Sequence, residues 1–110
     1  MAYDAALAAR IREVVGDEHG LSEKAMFGGL AFLVGGHLAA SASGRGGMLL
    51  RVDPARTEEL LDPPEVDRFE MRGRRLDGWL HVAPAAVQSD DDLRRWVALG
   101  VAYAGSLPPK

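Results

Sequence analysis

The chain has 110 residues, of which 47% are hydrophobic and 26% charged, and its formal net charge is −3 at pH 7. This length and balance are typical of one soluble globular domain, so we expect a single domain over residues 1–110. The absence of cysteine excludes disulfides and thiolate metal sites and favours a cytoplasmic location. No apolar run approaches the roughly 20 residues of a membrane span, and the first residues do not resemble a signal peptide.

The first predicted element is an amphipathic helix that begins after Asp4. Its apolar residues recur at helical spacing, namely Leu7, Ile11, Val14 and Val15. Asp4 is placed to cap the first turn, and Gly16 or Gly20 is predicted to end the helix.

A strand with two apolar faces is predicted over residues 25–34. One face carries Met26, Leu30, Phe32 and Val34, and the other carries Phe27, Ala31 and Leu33. We expect helices on one face and another cover, such as a second copy of the chain, on the other. The second face therefore motivates the hypothesis of a homodimer.

Two glycine pairs interrupt this apolar region. Gly35-Gly36 lies between two strand-like runs and is typical of a tight hairpin turn with positive φ. Gly28-Gly29 lies inside the predicted strand, where a bend, a bulge or the close approach of another backbone favours glycine. We favour a bend. The alternatives are a ligand that passes over Gly28 and Gly29, or an aromatic side chain that packs over the gap.

Two further strands and a short helix are predicted next. The strands span residues 37–42 and 48–52 and are joined by the glycine-rich loop 43–47. Asp53-Pro54 is predicted to start the short helix, because aspartate caps helices and proline suits the first helical position.

A second hairpin and a long helix complete the chain. The hairpin spans residues 69–82, and Ser89 is placed to cap the helix that follows. The helix has a continuous apolar stripe, and Gly105 with Pro108-Pro109 is predicted to end it. The predicted order is α-β-β-β-α-β-β-α. This order indicates a two-layer α+β domain with a five-stranded antiparallel sheet and helices mainly on one face.

The same order of segments resembles a known family. KAMFGGLAFLVGGHLAA, LLRVD, FEMRGRRLDGWLHV and YAGSLPPK occur with the order and spacing of the TfoX N-terminal domain family, over nearly the whole chain. The resemblance implies the same fold and a cytoplasmic bacterial protein. The founding members regulate competence genes and carry a second, helical domain after this one. The sequence stops at Lys110, so we expect a stand-alone N-terminal domain.

Patterns typical of catalysis or metal binding are weak in this sequence. The histidines His19, His37 and His81 lack the spacing of a metal site, and no serine lies in a nucleophile elbow. The run 90–92 of three aspartates is typical of a first helical turn, where the macrodipole favours carboxylates. Loop 43–47 precedes a strand and is therefore weak as a phosphate loop. We predict a non-catalytic protein with no metal and no cofactor.

The strongest local signal is an arginine cluster at the second hairpin. It comprises Arg72, Arg74 and Arg75, and Arg45 is a further candidate for the same surface. Their planar guanidinium groups suit carboxylates or phosphates. The alternative is a solvated hairpin whose charges keep the sheet edge from pairing with other chains.

These observations favour a regulatory or protein-interaction module, with the link to transcription or competence implied by the family resemblance. Its partner would be a protein that contacts the arginine hairpin or the second apolar face. One alternative is a nucleic-acid binder that uses Arg72, Arg74 and Arg75, which the net negative charge disfavours. The other is a small-ligand protein or enzyme with a pocket near Gly28 and Gly29.

Overall fold

The computed structural model of the chain describes residues 3–26 and 28–110, the side chain of Met71 excepted. Helix α1 (Ala5–Val15) precedes strands β1 (Leu21–Met26), β2 (Gly29–Val34), β3 (His37–Ala42) and β4 (Met48–Arg51). A 3₁₀ turn (Pro54–Arg56) leads into the short helix α2 (Thr57–Leu60), then strands β5 (Val66–Met71) and β6 (Arg74–Val82). A second 3₁₀ turn (Pro84–Val87) and helix α3 (Asp90–Ser106) complete the described elements.

Within the described residues the strands form one open antiparallel sheet in the order β1-β2-β3-β4-β6-β5. The predicted α+β class is therefore confirmed and the element order matches apart from one additional strand before α2, so the prediction of five strands is wrong. The strand predicted over residues 25–34 is the end of β1 and all of β2, because the chain reverses at Gly28, where φ is +74°. Most of β1 is exposed, so this edge strand lacks the apolar alternation that identifies a strand in a sequence.

The main core lies between one face of the sheet and the helices. It includes Leu7, Ile11, Phe32, Met48, Leu50, Leu80, Leu93 and Val97. The predicted helix face of β2 is confirmed for Leu30 and Phe32, whereas Met26 packs with the cluster on the opposite face. Phe27 lies outside the described residues.

The second face of the sheet is covered by side chains of the same chain. Its buried cluster comprises Ala31, Leu33, Leu38, Leu49 and Phe69, with Met26 and Trp79 packed against it. Ala31 is fully buried and Leu33 is 9% exposed. The burial of this predicted second face therefore needs no second copy of the chain.

A bulge in β6 interrupts its pairing with the edge strand β5, and Phe69 of β5 packs with Leu49 in the cluster on this second face. Arg68 pairs with Leu80 but Glu70 pairs with Arg75, so residues 76–79 oppose the single residue Phe69. Such a bulge bends the strand that carries it. The bend is fixed from the helix side, because the buried Thr57 hydroxyl accepts a hydrogen bond of 2.7 Å from the Gly78 amide.

Side chains cap the helices as their sequences predict. Asp4 accepts hydrogen bonds from the amides of Ala6 and Leu7, and Ser89 accepts one from Asp92. Asp53 caps the 3₁₀ turn before α2 by accepting from the amide of Ala55. Gly105 with Pro108-Pro109 was predicted to end α3, and the helix ends between these positions, at Ser106. Within the described residues, no helix is both long and apolar enough to cross a membrane.

Helix α3 packs against β3 with its backbone nearly in contact. A Cβ atom at Gly100 would lie only 2.3 Å from the Ala39 carbonyl oxygen, whereas one at Gly105 meets nothing within 4 Å. We predict that Gly100→Ala lowers the free energy of unfolding by about 1–3 kcal/mol, because the helix must move away from the sheet. Gly105→Ala is the matched control and is expected to raise it by about 0.5–1 kcal/mol. Chemical denaturation measures both values, and an equally stable Gly100→Ala protein would contradict the packing described.

An ion pair holds α1 against the edge strand β1. The Arg12 guanidinium donates to both carboxylate oxygens of Glu23, at 2.8 and 2.9 Å, and this hydrogen bonding lowers the pKa of the Glu23 carboxyl. A lowered native pKa stabilises the fold above the ordinary carboxyl pKa, and that contribution is lost as pH falls through the native value.

We therefore predict that Arg12→Gln is less stable than the wild type at neutral pH and that the difference disappears in acid. Denaturant unfolding across that range measures it, and salt weakens the effect because the pair is partly exposed. Arg74→Gln serves as the control, since Arg74 makes no ion pair with the described residues. A difference that persists unchanged in acid would show that Arg12 acts through packing and not through Glu23.

Candidate functional site

The arginines of this protein fall into two groups. Those with a carboxylate partner are Arg10, Arg12, Arg56, Arg68, Arg75, Arg94 and Arg95. Among the described residues, Arg45, Arg51, Arg72 and Arg74 have no such partner. Arg51 stacks between the rings of Trp79 and Tyr103. The other three belong to the β3–β4 loop and the tip of the β5–β6 hairpin.

A groove lies between this loop and this hairpin, on the face of the sheet opposite the helices. We call it the arginine groove. Its volume is about 240 Å³, and its lining residues are Ser41, Ser43, Arg45, Leu49, Phe69, Glu70 and Arg72. It brings together two of the four predicted arginines. Arg74 is exposed beside it, and Arg75 forms an ion pair with Asp67.

The floor of the groove is apolar, with Leu49 2% and Phe69 7% exposed. Two buried hydroxyls interrupt it. Ser41 donates a long hydrogen bond of 3.3 Å to the neighbouring Ala42 carbonyl, and the Ser43 hydroxyl accepts from the Arg45 amide at 3.1 Å. Both hydroxyls therefore keep hydrogen-bonding capacity, since each can donate one bond and accept two.

Arg45 is positioned by the loop and by the hairpin together. Its guanidinium carbon lies 5.4 Å from the centre of the Phe69 ring, and Nη1 donates to the Glu70 carbonyl at 3.3 Å. The loop itself is closed by a Ser43 to Gly47 backbone hydrogen bond, and His81 Nε2 donates to the Gly46 carbonyl at 2.7 Å. Most of the five donors of the Arg45 guanidinium remain for another acceptor.

Arg72 sits at the tip of the hairpin in an unusual backbone conformation. Its φ is +53°, that of Gly73 is +77°, and the flanking Met71 and Arg74 pair with each other. Two positive φ values define a type I′ hairpin turn, in which Asn-Gly is the favoured pair. An arginine at the first position costs about 1–2 kcal/mol relative to its ordinary conformation. The fold therefore keeps a side chain that the turn does not favour.

Gly29 and Gly44 are explained by contact between two backbones, whereas Gly28 lies in the reversal between β1 and β2 with a φ of +74°. A Cβ atom at Gly29 would lie 2.1 Å from the Ala42 carbonyl oxygen, and one at Gly44 would lie 2.6 Å from the Gly28 carbonyl oxygen. The β1–β2 turn thus packs directly against the start of the β3–β4 loop. Close approach of another backbone is the reason for Gly29, and a positive φ where the chain reverses is the reason for Gly28, so neither marks a bend within one strand.

His37 and the acidic run 90–92 have structural partners. His37 Nε2 donates to the Pro108 carbonyl at 2.7 Å. The acidic run 90–92 forms ion pairs with Arg10, Arg94 and Arg95 at the start of α3. No group of three potential metal ligands occurs in the part of the chain that the structure describes.

The sequence pointed to Arg45 and Arg72 but not to the residues between them. Ser41 is a polar residue within a strand of buried small residues, and that pattern is the only signal that marks it. Phe69 and Glu70 lie 20 and 21 residues after Leu49 in sequence, and nothing in their local pattern indicates that they meet it.

The fold and the groove define an α+β domain with one open antiparallel sheet, helices on one face and an arginine-lined groove on the other. The family model described as TfoX N-terminal domain matches residues 13–104, and the chain belongs to this family. No curated protein matches the chain.

We predict that Arg72→Asn raises the free energy of unfolding by about 0.5–1 kcal/mol, because asparagine tolerates the positive φ that arginine does not. Arg74→Asn, on the adjacent strand residue, is the control and should not stabilise the protein, since asparagine is disfavoured in strands. Denaturant unfolding of the two variants makes the comparison. An Arg72→Asn protein less stable than the wild type would show that the Arg72 side chain makes a stabilising contact.

Proposed function

We propose that this domain is a non-catalytic interaction module and that the arginine groove binds an acidic segment of a partner protein. The observation that carries the proposal is the convergence of Arg45 and Arg72, neither paired with a carboxylate among the described residues, on one apolar groove with buried hydroxyls. An arginine guanidinium group can bind a carboxylate by two parallel hydrogen bonds.

The size of the groove supports a protein partner over a cofactor or a large substrate. Pockets for drug-sized ligands usually measure about 300–1,000 Å³, and the arginine groove measures about 240 Å³. Such a volume suits one anchoring side chain of a partner. Anchors of this type, buried in a pocket and surrounded by a polar rim, contribute most of the binding energy of many interfaces.

Charge near the groove supports a protein over a nucleic acid. Glu70 lines the groove, and Asp67 neutralises Arg75 on the same hairpin. Binding of a phosphate backbone requires many unpaired basic residues spread over a surface. Beyond the groove itself, Arg74 is the one further arginine of this hairpin without a carboxylate partner among the described residues. Through an acidic partner the domain would act in regulation of gene expression, the role that its family resemblance implies.

The test is affinity capture from a nuclease-treated bacterial lysate, followed by binding measurements with the acidic segment of each captured protein. The groove variant is Arg45→Gln/Arg72→Gln. The matched control is Arg94→Gln/Arg95→Gln, which removes the same charge from α3. We expect a partner that binds wild type and control equally and the groove variant at least about tenfold more weakly.

Equal binding by the groove variant, or no specific capture by the wild type, would contradict the proposal. A fluorescent DNA duplex measured at low and moderate salt tests the alternative. Binding that falls steeply with salt and is lost in Arg72→Gln/Arg74→Gln would favour nucleic acid in its place.

A further inference from the structure

We infer that the arginine groove captures the free C-terminal carboxylate of a partner chain that ends in an apolar residue. This inference rests on the proposed function and specifies the chemistry of the partner. It follows from the charge, the donors and the volume of the groove taken together.

The charge of the lining matches a single negative charge. Arg45 and Arg72 contribute two positive charges, and the exposed Glu70, whose backbone carbonyl accepts from Arg45, contributes one negative charge, so the residues that line the groove carry one net positive charge. A phosphate group would bring more negative charge toward Glu70 than two guanidinium groups offset. A monocarboxylate balances the site.

The donors of the groove suit a carboxylate. The Arg45 guanidinium donates once to the Glu70 carbonyl and keeps its other donors. Ser43 accepts from the Arg45 amide, so its own hydroxyl proton can be donated to a bound oxygen. A guanidinium fork and a hydroxyl in one wall form the charge-assisted contacts that carboxylates favour.

The apolar floor requires an apolar group close to that carboxylate. Leu49 and Phe69 occupy the same small volume as Arg45 and the two serines. An internal aspartate or glutamate places its carboxylate on a side chain, so any apolar contact must come from another residue. A C-terminal leucine or phenylalanine carries both groups on one residue, which fits a cavity of about 240 Å³. Capture of a C-terminal carboxylate is a recurring mode of peptide recognition.

The experiment is an NMR titration of the ¹⁵N-labelled chain with matched peptides. The probe is acetyl-Gly-Ser-Gly-Ser-Leu with a free C-terminal carboxylate. The comparison peptides are its C-terminal amide and an amidated peptide with an internal Asp-Leu pair, and inorganic phosphate is a further probe. We expect the free acid to shift amides within residues 43–49 and 69–75 and the amide to bind at least about tenfold more weakly.

Variants of the chain locate the binding. Arg45→Gln and Arg72→Asn should each weaken the free-acid peptide at least about fivefold, and Arg94→Gln/Arg95→Gln should leave it unchanged. The free energy of unfolding of Arg72→Asn, measured as above, shows whether weaker binding comes from the lost guanidinium contact or from unfolding of the variant. Binding that is weakened in the two groove variants and unchanged in Arg94→Gln/Arg95→Gln supports the inference.

Three results would overturn the inference. These are equal binding of the acid and the amide, no binding of the free acid at millimolar concentration, and equally tight binding of the internal acid or of phosphate. If a captured partner still depends on Arg45 and Arg72, any of these results removes the C-terminal recognition and leaves the interaction module standing. If capture is also independent of the groove, the proposed function fails as well.

Discussion

A sheet with helices on only one face must cover its other apolar face in another way, and the rest of this structure depends on how that is done. Here Phe69, which lies opposite the bulge in β6, packs with Leu49 and its neighbours in the buried cluster on that face. Burial of these side chains excludes water from the second face and stabilises the domain as one unit. The groove forms where that cover meets the β3–β4 loop.

The bend is held by contacts from both sides of the sheet. Thr57 accepts a hydrogen bond from the Gly78 amide on the helix side, and His81 donates to the Gly46 carbonyl at the loop. Each contact satisfies a polar group that would otherwise be costly to leave unpaired in the interior. The position of Arg45 over the Phe69 ring therefore depends on packing well outside the groove.

The arginines that stabilise the fold differ from those assigned to the proposed recognition. Arg68 bridges Glu58 and Asp77, and so contributes to joining α2 to the hairpin. Arg72, in contrast, occupies a turn position that disfavours it, and the described residues offer it no carboxylate. A fold that keeps an unfavourable residue at an exposed tip is consistent with a function for that side chain.

Local patterns were sufficient for much of the fold. Helix caps at Asp4 and Ser89 and the Gly35-Gly36 turn follow from side-chain chemistry within a few residues, and each is confirmed. The edge strand β1 escaped prediction because exposed strands carry no apolar period. Gly28-Gly29 was interpreted as a bend in one strand, whereas Gly28 lies where the chain reverses and Gly29 lies against the Ala42 carbonyl, more than ten residues away in sequence.

The sequence by itself determined the class of the domain, its helices, most of its strands and the arginines of the candidate site. Those features depend on apolar periodicity, capping and residue type, which are properties of short segments. The tertiary structure alone decided that Arg45 and Arg72 share a groove while Arg75 pairs with Asp67. The reason is that register and a single bulge set which side chains meet across a sheet, and both are fixed by packing between segments distant in sequence.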